Sequence, residues 1–166
     1  MVMTANRKGY TLVELLMTIA IIGILAFVGP PLILNTVRHF ILIRTKIQLQ
    51  QEARAAMYLL TRNLRQAQST SIQLDQYSTA QPLYSRIRFT KIQGTTVSYY
   101  QEGNTLVEII GNSKTILTKN LRYLAFTFPR SDNMTLVSVS LTLEQGIYQG
   151  QTKALHMASE KIQVMN

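Results

Sequence analysis

The residues able to do chemistry are few, and the most telling stand near the N-terminus. Glu14 is a carboxylate at the edge of an apolar run, with Tyr10-Thr11-Leu12-Val13 before it and Arg7-Lys8-Gly9 before those. A carboxylate within a membrane helix is costly, less so near the helix end, and is either tolerated at headgroup level or held for a partner. Elsewhere, His39 and His156 do not stand in a metal-ligand spacing. Asp75 and Asp132 fall in loop-like stretches with no carboxylate partner nearby. The absence of cysteine excludes disulfides, Cys-based metal sites and thiol catalysis. No Gly-x-Ser-x-Gly elbow, P-loop or Gly-x-Gly-x-x-Gly occurs. Asn133-Met134-Thr135 matches a glycosylation sequon. With no catalytic constellation, the chain reads as a non-enzyme without cofactor or metal.

The element that must position Glu14 is a membrane helix. Uncharged residues run from Leu15 to Val37. About 20 apolar residues cross a bilayer as a helix, whereas a cleaved secretory signal has an apolar core of about 7–15 followed by small residues. Here the run continues into Pro30-Pro31-Leu32-Ile33-Leu34 with no Ala-x-Ala-like site, so an anchor is expected. Arg7 and Lys8 place the N-terminus in the cytoplasm by the positive-inside rule. Arg38, Arg44 and Lys46 beyond the span reduce that charge difference, and the extreme N-terminal position of the leader keeps the orientation. Pro30 and Pro31 remove backbone donors inside the helix and predict a break or kink.

The run Arg7-Lys8-Gly9-Tyr10-Thr11-Leu12-Val13-Glu14-Leu15-Leu16 resembles the class III signal of type IV prepilins and type II secretion pseudopilins. The resemblance implies that a membrane-embedded prepilin peptidase cuts after Gly9 and methylates the new amino terminus at Tyr10. Tyrosine stands where the family usually has phenylalanine, and keeps the ring. Glu14 is the fifth residue after the cut, where the family places its glutamate, and Pro31 falls where many members carry a proline. The implied protein is a single-pass subunit of the bacterial cytoplasmic membrane with its head outside the cytoplasm. It would join other pilins or pseudopilins in a filament built on an inner-membrane assembly platform. Cutting after Gly9 leaves an amine that can pair with Glu14 of a neighbour in a low-dielectric setting. The cost of a lone carboxylate then becomes a force for assembly and register.

Beyond the span, Ile47, Ala53, Met57, Leu60, Leu64 and Ala67 mark one face of an amphipathic helix that ends at Ser69-Thr70-Ser71. From Tyr84 the period changes to two. Strands are expected around Arg86–Lys91, Thr96–Tyr100, Thr105–Ile110, Lys114–Leu117, Leu124–Phe128, Val137–Leu143 and Leu155–Val164, with turns at Gly94, Gly103-Asn104 and Gly111-Asn112. A meander of antiparallel strands after one long helix gives an α+β fold, the helix packed on a β head. The expected organisation is a leader at 1–9, a transmembrane or filament-core helix at 10–34, an amphipathic helix at 35–70 and an antiparallel β head at 71–166.

The order of the head also resembles the J-type minor pseudopilins and W-type minor pilins. The resemblance rests on the helix ending Leu60-Thr61-Arg62-Asn63-Leu64-Arg65-Gln66-Ala67, on Val97-Ser98-Tyr99-Tyr100 before a Gly-Asn turn and Leu106, and on Leu121 to Phe128. It implies a tip-proximal minor subunit. The missing cysteines depart from the C-terminal pair of some major pilins and point the same way. Net charge is +9, which favours anionic partners. Arg86, Arg88 and Lys91, on an alternating strand, form a candidate anion-binding cluster, so the alternative is a tip subunit that captures nucleic acid or an acidic polymer. A further alternative is a periplasmic enzyme on an ordinary signal anchor, which would not need its first ten residues once any anchor is supplied.

Overall fold

Residues 9–130, 134–148 and 152–164 are described by the computed structural model. Arg7 and Lys8, Asp132 and the sequon's Asn133 lie outside the described residues. The chain divides into two compact units at Ile41 and Leu42, and one helix, α1 (Leu12–Arg65), contributes to both.

The first unit contains the apolar part of α1. Its side chains are bare, with Phe27 84% exposed, and α1 is long and apolar enough to cross a membrane. α1 continues past Pro30 and Pro31 without interruption. The two rings cannot donate to the carbonyls of Ala26 and Phe27, four residues back. The intact turns on either side carry the helix across those two gaps.

The second unit begins with the remainder of α1 and a 3-10 turn at Ser69–Ser71. Among the described residues eight strands follow: β1 (Gln73–Asp75), β2 (Arg86–Thr90), β3 (Thr96–Glu102), β4 (Thr105–Ile110), β5 (Ser113–Thr118), β6 (Leu121–Thr127), β7 (Leu136–Tyr148) and β8 (Thr152–Gln163). All pairings are antiparallel. Gly103 and Gly111 open the β3–β4 and β4–β5 turns with φ of 59° and 58°, a conformation that tight hairpins need and L side chains resist.

The strands form two meanders rather than the one expected. The order is β1-β2-β3-β4-β5 in a five-stranded sheet and β6-β7-β8 in a three-stranded sheet. β5 exposes Ser113–Ile116 and serves as an outer edge, while β6 buries Leu121, Leu124 and Phe126 and must turn inward. The sheets are tied where Leu121 N–H donates to Asn104 O and Phe126 N–H to Tyr84 O, both at 2.8 Å. β1 was not expected; it is three residues long and is held by pairing Asp75 with Arg86 and Leu74 with Ile87.

The core lies between α1 and both sheets. Ala53, Met57, Leu60, Leu64 and Ala67 are buried as expected, but Ile47 is 50% exposed and Leu49 takes its place at 0%. Starting from Leu49, the buried stripe runs to Ala53, Met57, Leu60, Leu64 and Ala67 in steps of four and three, whereas Ile47 stands six residues before Ala53 and falls off that face. Ile87, Phe89, Val97 and Leu106 meet it from the first sheet, and Phe126, Val137, Val139, Leu141 and Leu143 from the second.

Candidate functional site

Gly9 and Tyr10 precede α1 and are exposed. A side chain added at Gly9 would meet nothing within 4 Å, and the backbone there is not left-handed. The fold therefore places no demand for glycine at this position. Thr11 caps the helix. Its side-chain oxygen accepts from Glu14 N–H at 3.3 Å, while its own N–H and hydroxyl each donate to Glu14 Oε2 at 3.0 Å. This reciprocal pattern is a capping box, which satisfies donors at a helix start that have no partner within the helix. Glu14 is thus not a lone carboxylate: two donors already hold it, and the first-turn position suits a negative charge. Thr11-Leu12-Val13-Glu14 carries the threonine-to-glutamate spacing that signals such a box.

The expected cationic cluster of the head is arranged differently from an open anion site. Arg86 and Arg88 do share the outer side of β2, with Ile87 and Phe89 buried opposite. Both arginines close on Asp75, which stands on β1 and not in a loop. Arg86 Nε and a terminal nitrogen donate to the two carboxylate oxygens at 2.6 Å each, and Arg88 donates at 2.6 Å. The Arg86 guanidinium holds the Asp75 carboxyl below its usual value, Arg88 adding to the effect. Lys91 turns elsewhere and donates to Asn63 Oδ1 at 2.7 Å.

That last bond enters a buried polar network the sequence reading missed. Asn63 Nδ2 donates to Tyr99 OH at 2.5 Å and to Glu108 Oε1 at 2.9 Å, and Tyr99 OH donates to Glu108. Tyr99 is 0% exposed, and its phenol is pushed up by burial and by the Glu108 carboxylate. An unsatisfied carboxylate here would be expensive; two donors make its burial tolerable. The available signal was Asn63 itself, a polar residue three after Leu60 and four before Ala67, on the core-facing stripe. Three further bonds tie α1 to the head. Glu52 accepts from Thr118 and Asn120 at 2.9 Å each, and Thr61 donates to Glu160 at 3.1 Å.

The Asp75 clamp gives a pH prediction. A carboxylate whose folded pKa is depressed adds stability above its unfolded pKa, and loses it as pH falls through the folded value. Wild type should therefore exceed Asp75→Asn by about 1 kcal/mol at neutral pH, a figure already discounted for solvent screening of a partly exposed cluster. The gap should hold down to about pH 5 and close below about pH 4. Thermal melts of the detergent-solubilised proteins across that range measure it. A gap that persists unchanged to pH 2 would show that the pairing contributes nothing.

An exposed apolar helix with a capped start and an antiparallel β head give an α+β fold, as in pilins. Residues 4–29 match the family described as the prokaryotic N-terminal methylation motif. The match supports a type IV pilin-like protein, a prepilin-like pilin or pseudopilin, processed by prepilin peptidase and assembled with other pilins. Together with the apolar helix it fits a membrane-anchored pilin. No curated protein and no solved structure matches the chain.

Proposed function

We propose that this chain is a minor, tip-proximal structural subunit of a type IV pilus or type II secretion-like pseudopilus, cut after Gly9 and methylated on Tyr10. It crosses the cytoplasmic membrane once, with the N-terminus inside and the β head outside, before entering the filament from the assembly platform. The role is structural and not catalytic. The observation that carries the reading is the methylation motif at residues 4–29, which runs into the bare apolar part of α1 that begins at Leu12. A helix with Phe27 and its neighbours exposed needs lipid or packed helices around it, and a pilin exchanges the first for the second. The Asp75 clamp and the Lys91–Asn63 bond favour scaffolding over anion capture by Arg86, Arg88 and Lys91.

The test is to shear filaments from cells making this chain and determine its mass. The expected product starts at a methylated Tyr10, is far scarcer than the main subunit, and is labelled by antibody at filament ends. Absence from the sheared fraction of filament-making cells would remove the subunit role. Label spread along the filament would remove the tip placement alone.

A further inference from the structure

We propose that a groove between the solvent side of α1 and β8 docks an acidic segment of a different protein, a neighbouring subunit that presents carboxylates. The inference rests on the filament reading and specifies what kind of neighbour the head meets. The groove encloses about 700 Å³ and is lined by Arg54, Met57, Tyr58, Arg62, Arg65 and Glu160, among others. Arg54, Tyr58, Arg62 and Arg65 follow one another along α1 in steps of four, four and three, so they form a single ridge. Tyr58 is 66% exposed on it. Among the described residues none of the three arginine side chains forms an ion pair or hydrogen bond.

The described carboxylates are already committed within the chain. Cations neutralise Asp75, Glu102 and Glu144. Glu108 is buried, Glu14 caps α1, and Glu52 and Glu160 are tied by Thr118 and Thr61 at the helix–sheet junction. A second copy cut after Gly9 would therefore bring a net charge of +7, the +9 of the full chain less Arg7 and Lys8, and no spare carboxylate among its described residues. A nucleic acid fits less well. Its phosphates would run past Glu160, whereas a polypeptide can place carboxylates at the arginines and an apolar side chain on Met57 and Tyr58. Arginine and tyrosine are also the residues that most often anchor protein interfaces.

An aromatic photo-crosslinker replacing Tyr58 in the full chain, in cells that assemble the filament, tests the groove. It is expected to link to a peptide of a different protein with Asp or Glu within two helical turns of the link. Charge reversal by R54E, R62E and R65E together should lower the yield roughly tenfold. The lysine variants R54K, R62K and R65K should keep it, and lysine in place of the partner's carboxylates should restore it to the reversed chain. Cleavage and membrane level are measured for every variant. Should the triple reversal fail to accumulate, the single R62E change reads the same dependence. A link to a second copy, to nucleic acid or to nothing overturns the proposal, as does a yield indifferent to reversal. The sheared fraction of the same cells is scored separately: absence of this chain from it counts against the filament reading and not against the groove.

Discussion

Gly9→Leu is expected to leave the full-length precursor in the membrane, with the mature chain beginning at Tyr10 reduced about fivefold to 150-fold. The fold has no use for glycine there, since a side chain would meet nothing within 4 Å. On the prepilin reading the demand comes from outside the chain, from a protease site too narrow for a side chain before the scissile bond. Forcing extra carbons into a packed site costs about 1–3 kcal/mol, which sets that range of rates. Gly23→Ala is the control, because it too meets nothing within 4 Å and lies away from the cut. Mass spectrometry of membranes and filaments reads both. A normal amount of chain starting at Tyr10 from Gly9→Leu would remove the prepilin reading.

The second large effect concerns Glu14, and the capping box divides it into two separable roles. Glu14→Leu should insert and be cleaved normally, yet enter filaments poorly or lower filament number. The loss could arise from a missing charge or from a frayed helix start, because Glu14 accepts two bonds from Thr11. Glu14→Gln separates them. Glutamine serves in a capping box as glutamate does, but cannot neutralise an amine. If pairing with the amino terminus of a neighbour drives assembly, Glu14→Gln fails with Glu14→Leu, since the buried amine stays unpaired in either variant. If the cap is what matters, Glu14→Gln assembles and Thr11→Val fails. Comparison of sheared and membrane fractions for the three variants decides, and normal incorporation of Glu14→Leu beside normal cleavage would sink both roles.

What could be read in advance is what depends on neighbours in sequence. Alternation over Val137–Leu143 specifies a half-buried strand on its own, and glycines before asparagine mark tight turns at Gly103 and Gly111. The apolar run and the residues around Gly9 and Glu14 are equally local. What escaped depends on partners distant in sequence. Ile47 and Leu49 are both apolar, and only the position of the sheets decides which one turns inward. β1 exists because β2 pairs with it, and Asp75 gains its role from Arg86, eleven residues away. Glu108 sits in an apolar strand and makes sense only once Asn63, 45 residues earlier, is placed above it. The division into two sheets follows from β6 turning inward, which no periodicity encodes.

The polar ties between α1 and the head carry a mechanical meaning. Glu52 grips Thr118 and Asn120 beside the first sheet, Asn63 grips Tyr99 and Glu108 within it, and Thr61 grips Glu160 on the second. From position 52 to position 63 these fasteners span about 16 Å of helix at 1.5 Å per residue. A tension applied along α1 loads them in shear, all together, rather than peeling them one by one. Each bond is modest, but several strained in parallel share the load, and the apolar stripe from Leu49 to Ala67 resists sliding beneath them. The buried Asn63–Glu108 contact also stops the helix from rolling about its own axis, since rotation would strand a carboxylate in the core. Within the second unit, a pull or twist on this part of α1 is therefore passed to both sheets together.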